Sequence, residues 1–161
     1  MIIVSNTSPV MNLAAIGRLD LLEHLYGNVL IPEAVFAELA AIDTGKFEFP
    51  SIQGLPWIET ASVSDRSLVS SLMLELDFGE AEAIALAIEM KAGLLLIDER
   101  LGRKTASRLG LRFIGLLGVL VDAKRQGLIS ELKPVIDTLI SKAGFWISGQ
   151  LYSHVLKTAG E

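Results

Sequence analysis

Short apolar runs, recurring between stretches of helical periodicity, constrain this chain's fold more than any other feature. Ile2–Ser5, Val29–Ile31 and Leu94–Ile97 are strand-length runs, and Trp57–Thr60 and Arg112–Ile114 fit two further short strands. Thr7 to Gly27 reads as helix in two pieces broken at Gly17. Pro32 opens the next helix, where its missing N–H costs nothing, and that helix runs to about Ile42. Residues 44–56 hold two Gly and two Pro and read as a loop. Asp65 to Leu76, Phe78 to Ala92 and residues 99–109 follow as helices, then 116–126, 131–143 and 149–158. Strands that are apolar throughout are buried on both faces, which calls for a parallel sheet with helices above and below. The expectation is an α/β fold, a three-layer α/β/α arrangement with a short, mainly parallel central sheet. Residues 1–161 form one domain in this reading, with a core of about 1–126 and a helical extension of about 130–161.

Composition narrows the class. A chain of 161 residues fits one hydrophobic core, and 51% apolar against 6% aromatic residues favours helices and buried strands over a β-sandwich. The absence of cysteine excludes disulfides, thiolate metal sites and a Cys nucleophile, and is compatible with a cytoplasmic setting. The opening MIIVSNTSP lacks the basic and long apolar regions of a signal peptide. Segment 81–97 is apolar but carries Glu82, Glu89 and Lys91, so no membrane span is expected. A net charge of −5 argues against non-specific nucleic-acid binding by the whole surface, though not against a local basic stripe.

In open parallel sheets ligands collect beyond the carboxyl ends of the strands. Strand one ends at Ser5, Asn6, Thr7 and Ser8, and the run 94–97 ends at Asp98 and Glu99, so both sets fall on one edge. Asp98 has two readings, a site carboxylate on an apolar rim or an N-cap for the helix at 99–109. Asp77-Phe78-Gly79-Glu80 fits a capping box, which accounts for Glu80 and leaves Glu82 unexplained. Glu82 has apolar neighbours, and a carboxylate in such a helix needs a partner, of which a metal ion is one. Glu38 borders the stripe Val35, Phe36, Leu39 and Ile42, where an ordinary boundary residue also fits. Together, Glu38, Glu82 and Asp98 can converge on the strand-one tip, where a cation would relieve their repulsion. Oxygen-only ligands suit Mg²⁺ or Mn²⁺, and His24 and His154 lack the spacing of a zinc pair.

Arg100, Arg103, Lys104 and Arg108 share one helix face opposite Ala106 and Leu109. This stripe starts beside Asp98 and offers contacts to a nucleic-acid backbone; a solvated helix face is the plain alternative. No aromatic residue interleaves it in sequence. Phe145, Trp146, Ile147, Leu151 and Tyr152 form an apolar tail that either closes the core or meets a partner. Neither G-x-G-x-x-G after strand one nor a phosphate-binding P-loop is present, which removes a nucleotide-binding Rossmann-like reading.

Four stretches, IIVSNTSPVMNLAAIGRLDLL, VLIPEAVFAEL, LDFGEAEAIALA and LLLIDERLGRKTA, resemble the PIN-domain family, in particular a PIN-like group related to VapC-type toxins; the tail AGFWISGQLYSHVL is similar as well. The resemblance spans nearly the whole chain. It implies a Mg²⁺- or Mn²⁺-dependent endoribonuclease hydrolysing phosphodiester bonds. Glu38, Glu82 and Asp98 match the second, third and fourth acidic positions of the family. The first falls on Asn6, whose amide oxygen is a neutral ligand, so the site loses a charge. Glu99 is a further candidate ligand, and Thr7 and Ser8 match small hydroxyl residues that would face RNA together with the basic stripe. The family further implies a homodimer and, for toxin types, a small antitoxin partner. The alternative is a catalytically weakened module that binds nucleic acid or protein.

Overall fold

The computed structural model of the protein describes residues 1–42 and 51–161. Among the described residues five strands form one sheet: β1 (Ile3–Ser5), β2 (Val29–Pro32), β3 (Ile58–Ala61), β4 (Leu94–Leu96) and β5 (Phe113–Ile114). All pair in parallel, in the order β3-β2-β1-β4-β5. The connecting helices are α1 (Thr7–Ala15), α2 (Asp20–Tyr26), α3 (Glu33–Ala40), α4 (Arg66–Leu72), α5 (Phe78–Glu89), α6 (Arg100–Arg108), α7 (Leu116–Arg125), α8 (Leu132–Ala143) and α9 (Gly149–Thr158). The fold is therefore the expected three-layer α/β/α arrangement. No helix among the described residues is long and apolar enough to cross a membrane.

The strand sequences explain why both faces are covered. Ile3 and Leu96 belong to one buried cluster, while Val4, Leu95 and Ile97 belong to the other. Successive side chains alternate between faces, so an unbroken apolar run feeds two cores. The larger cluster gathers α1, α2, α7 and both C-terminal helices, which contribute Leu132, Ile136, Leu139 and Val155. The smaller gathers α4, α5 and α6 around Val69, Ile84, Leu86 and Ala106. In α5 every residue from Gly79 to Ala87 is buried. A helix enclosed on all sides has no polar face to present, which is why its small side chains dominate.

Several boundaries differ from the sequence expectation. α4 stops at Leu72 rather than Leu76, and turn hydrogen bonds carry residues 73–76. Pro32 ends β2 and takes the N-cap position of α3. Residues 43–50 of the expected loop lie outside the described residues, and Ile52–Gly54 forms a 3-10 turn. Gly17 breaks α1 from α2 at φ 69°, a left-handed conformation suited to glycine.

Candidate metal centre and nucleic-acid interface

The strand order reverses direction at β1, with β2 and β3 on one side and β4 and β5 on the other. A crevice opens at the carboxyl ends of such diverging neighbours. Here the neighbours are β1 and β4, joined from Ile3↔Leu94 to Ser5↔Leu96 and extended by the Asn6 N–H donating to the Leu96 carbonyl at 2.9 Å. Asn6 and Asp98 thus flank one crevice because the sheet places their strands side by side.

Asn6 is buried and occupies the N-cap position of α1, yet its side chain makes no capping hydrogen bond. An asparagine there ordinarily accepts from the first turn, so its amide is not committed to the helix end. The next two residues reach the flanking carboxylates. The Thr7 hydroxyl donates to Glu38 Oε2, and the Ser8 hydroxyl lies 3.4 Å from Asp98 Oδ2. Asn12, one turn along α1, donates to Ser8 Oγ at 3.1 Å and fixes that hydroxyl from behind.

Asp98 does not cap α6, whose N-cap position belongs to Glu99. Its Oδ1 instead accepts the Leu116 N–H at 2.7 Å, at the start of α7. Burial raises its pKa, against the Leu116 N–H, the Arg103 charge and the Ser8 hydroxyl, which hold the charged form. Two glycines make room for the carboxylates. A Cβ on Gly79 would collide with Glu38 Oε1, and one on Gly115 would stand 2.8 Å from Asp98 Oδ1.

Glu82 stands on α5, about one turn beyond Gly79. It is 3% exposed, its Oε1 accepts the Ala34 N–H at 2.9 Å, and its Oε2 meets Arg66 Nη1 at 2.5 Å. The partner that the sequence demanded for a buried carboxylate is therefore the first turn of α3 plus an arginine from α4. Sequence reasoning had no signal for Arg66, since its pairing with Glu82 depends on how two helices pack. Glu80 completes the capping box with Asp77, as expected, and is buried as well. Burial first, then the hydrogen bond and charge of Asp77 and the charge of Glu99, push its pKa up from 4.5 to about 7. Glu99 itself is exposed beside Asp98.

Fit to a divalent ion is tested by this donor set. Among the described residues no three Asp, Glu or His side chains form a group that could hold a metal. The full acidic set of the sequence reading is thus not gathered in this arrangement, with Glu82 neutralised by Arg66. At the end of β1 the consecutive hydroxyls of Thr7 and Ser8 meet one carboxylate each, Glu38 and Asp98, with space reserved by Gly79 and Gly115. All are hard oxygen donors, and Mg²⁺ is commonly held by one or two carboxylates with substrate phosphate completing its shell. The residues fit an ion of that kind.

Arg100, Arg103, Lys104 and Arg108 are all exposed and border a hollow of about 600 Å³ that reaches Asp98. Opposite them Ala106 is buried as expected, whereas Leu109 is 41% exposed. The Arg103 guanidinium lies 5.4 Å over the Phe113 ring, a contact that orients it.

A family model described as a PIN domain matches residues 2–161. The chain belongs to the PIN-domain family. A search among curated proteins found no match. PIN domains are in general a nuclease fold dependent on divalent metal, and the fold suggests nucleic-acid binding. In this PIN domain Asp98, at the carboxyl end of β4, lines the cationic hollow.

Proposed function

We propose that this PIN domain is a divalent-metal-dependent endoribonuclease acting at the β1–β4 crevice. The observation that supports this most is the place of Asp98 just past β4, where it meets the Ser8 hydroxyl and lines the hollow bordered by Arg100, Arg103 and Lys104. Glu38 and Asp98 would hold the ion, with Asn6 as a neutral third donor. When bound, Mg²⁺ or Mn²⁺ supplies an acidified water and offsets charge on the phosphate. Thr7 orients Glu38, and Ser8, fixed by Asn12, directs a hydroxyl toward Asp98 and the phosphate. Arg100, Arg103 and Lys104 neutralise the strand's backbone as it enters. Glu82 and Glu99, the other acidic candidates, take the parts of structural clamp and outer charge. A cytoplasmic toxin role, with a homodimeric state and a small antitoxin partner, is the family-derived context of this reading.

Cleavage of end-labelled single-stranded RNA tests it, with Mn²⁺, Mg²⁺ or a chelator present. Wild-type protein should cut only with metal, and Asp98→Asn should cut at least about 100-fold more slowly, since it removes half the anionic charge at the ion. Metal-independent cutting, or an unaffected variant, contradicts the proposal. A second reading, a weakened binding module, is favoured by the neutral Asn6. It expects RNA binding without cleavage, and a gain of cleavage in Asn6→Asp; folded Asn6→Asp protein that still fails to cut counts against it.

A further inference from the structure

The basic hollow has a neighbour. A second hollow of about 850 Å³ shares Asp98, Arg100, Arg103 and Phe113 with it. The Arg103–Phe113 stack is therefore a ridge between two depressions. One is cationic. The other runs from Ser8 and Asn12 on α1 to Phe145, Trp146 and Leu151 around the start of α9. Phe145 packs against the core, whereas Trp146 is 82% exposed at the rim.

Trp146 offers a flat exposed indole on the rim of a hollow that Arg100 and Arg103 also line, a face on which another ring can stack. The cations add to the case. Arg100, Arg103 and Lys104 form no salt bridge among the described residues, and Arg108 has only a long one of 3.7 Å to Glu75. Arg103 is shared with Asp98 and Phe113, but the charges of Arg100 and Lys104 can meet an anionic occupant. A strand that carries phosphates and flat aromatic bases matches both depressions at once. A polar floor at Ser8 and Asn12 can also meet a base edge. The aromatics absent from the basic stripe in sequence are delivered by β5 and by the α8–α9 connection.

We propose that the hollow rimmed by Trp146 binds a nucleobase of single-stranded RNA, stacked on the indole, while the adjoining phosphate rests on Arg100 and Arg103. This rests on the nucleic-acid reading above and adds the side chain that grips a base. The strand lies across the Arg103–Phe113 ridge, with its backbone passing Asp98.

Fluorescence anisotropy tests it with a labelled oligoadenylate of about ten nucleotides and an abasic strand of equal length, in chelator so that neither is cut. Trp146→Ala should weaken oligoadenylate binding about tenfold, the scale of one lost base stack, and leave the abasic strand unchanged. Trp146→Phe should restore most of the affinity, and the Arg100→Ala/Arg103→Ala pair should weaken both strands. Equal affinity of wild type and Trp146→Ala for oligoadenylate overturns the proposal, as does an equal loss for both strands. Wild-type protein that binds neither strand rejects the nucleic-acid reading itself. Sedimentation in parallel resolves another occupant: if Trp146→Ala splits a dimer without altering strand affinity, this face covers a second copy and the proposal fails.

Discussion

Glycine 115 has φ −91°, a conformation open to any residue, so its lack of a side chain serves space rather than backbone freedom. Asp98 Oδ1 fills that space and accepts the Leu116 N–H. Gly115→Ala should push the carboxylate off the helix, costing about 1–3 kcal/mol for the orphaned N–H and its partner, and should reduce RNA cleavage as well. Urea unfolding and the cleavage assay check the pair of effects; a variant unchanged in both contradicts the packing argument. Glu80 offers a pH signature. Its pKa in the fold is about 7, above its ordinary 4.5, so the folded state favours its proton. The stabilisation is complete below pH 4.5 and is lost as pH rises through 7, by at most about 3 kcal/mol. Glu80→Gln keeps an N3 capping residue and removes the titration. Its melting temperature should fall less between pH 4.5 and 7 than that of the wild type; parallel profiles would argue against a buried, protonated Glu80.

At the scale of elements, Glu82 ties three helices, standing on α5, capping the start of α3 and pairing with Arg66 of α4. Removing Arg66 leaves a buried carboxylate with one backbone donor. The arginine is 54% exposed, so solvent screens part of the loss, and Arg66→Ala should destabilise by about 1–3 kcal/mol in urea unfolding. Loss below about 0.5 kcal/mol, the range of ordinary surface changes, would show that the pair is ornamental. The same tie marks how far the sequence could be read. Apolar runs and helical periodicity located each strand and helix of the described residues, because burial on two faces leaves a direct imprint on composition. Ends such as Leu72 and Pro32 were less legible, since turn hydrogen bonds and neighbours decide them. The buried character of Glu82 was legible from its apolar neighbours. Its partner was not, because Arg66 is 16 residues away on another helix.

For the whole molecule, the decisive information is the strand order. Sequence placed Asn6 and Asp98 on one edge, but only the order β3-β2-β1-β4-β5 makes their strands adjacent and opens the crevice between them. The same order sets Glu82 toward β2, near the start of α3. The chain is thus a PIN domain in which the proposed catalytic acids are Glu38 and Asp98, with Glu82 given to holding helices together. Mn²⁺-dependent RNA cleavage by Glu38→Gln, Asp98→Asn and Glu82→Gln, each checked for folding, separates these roles. Losses of about 100-fold or more are expected in the first two, with a Glu82→Gln rate within several-fold of wild type. Loss in folded Glu82→Gln as deep as in Asp98→Asn would contradict that division and return Glu82 to the metal.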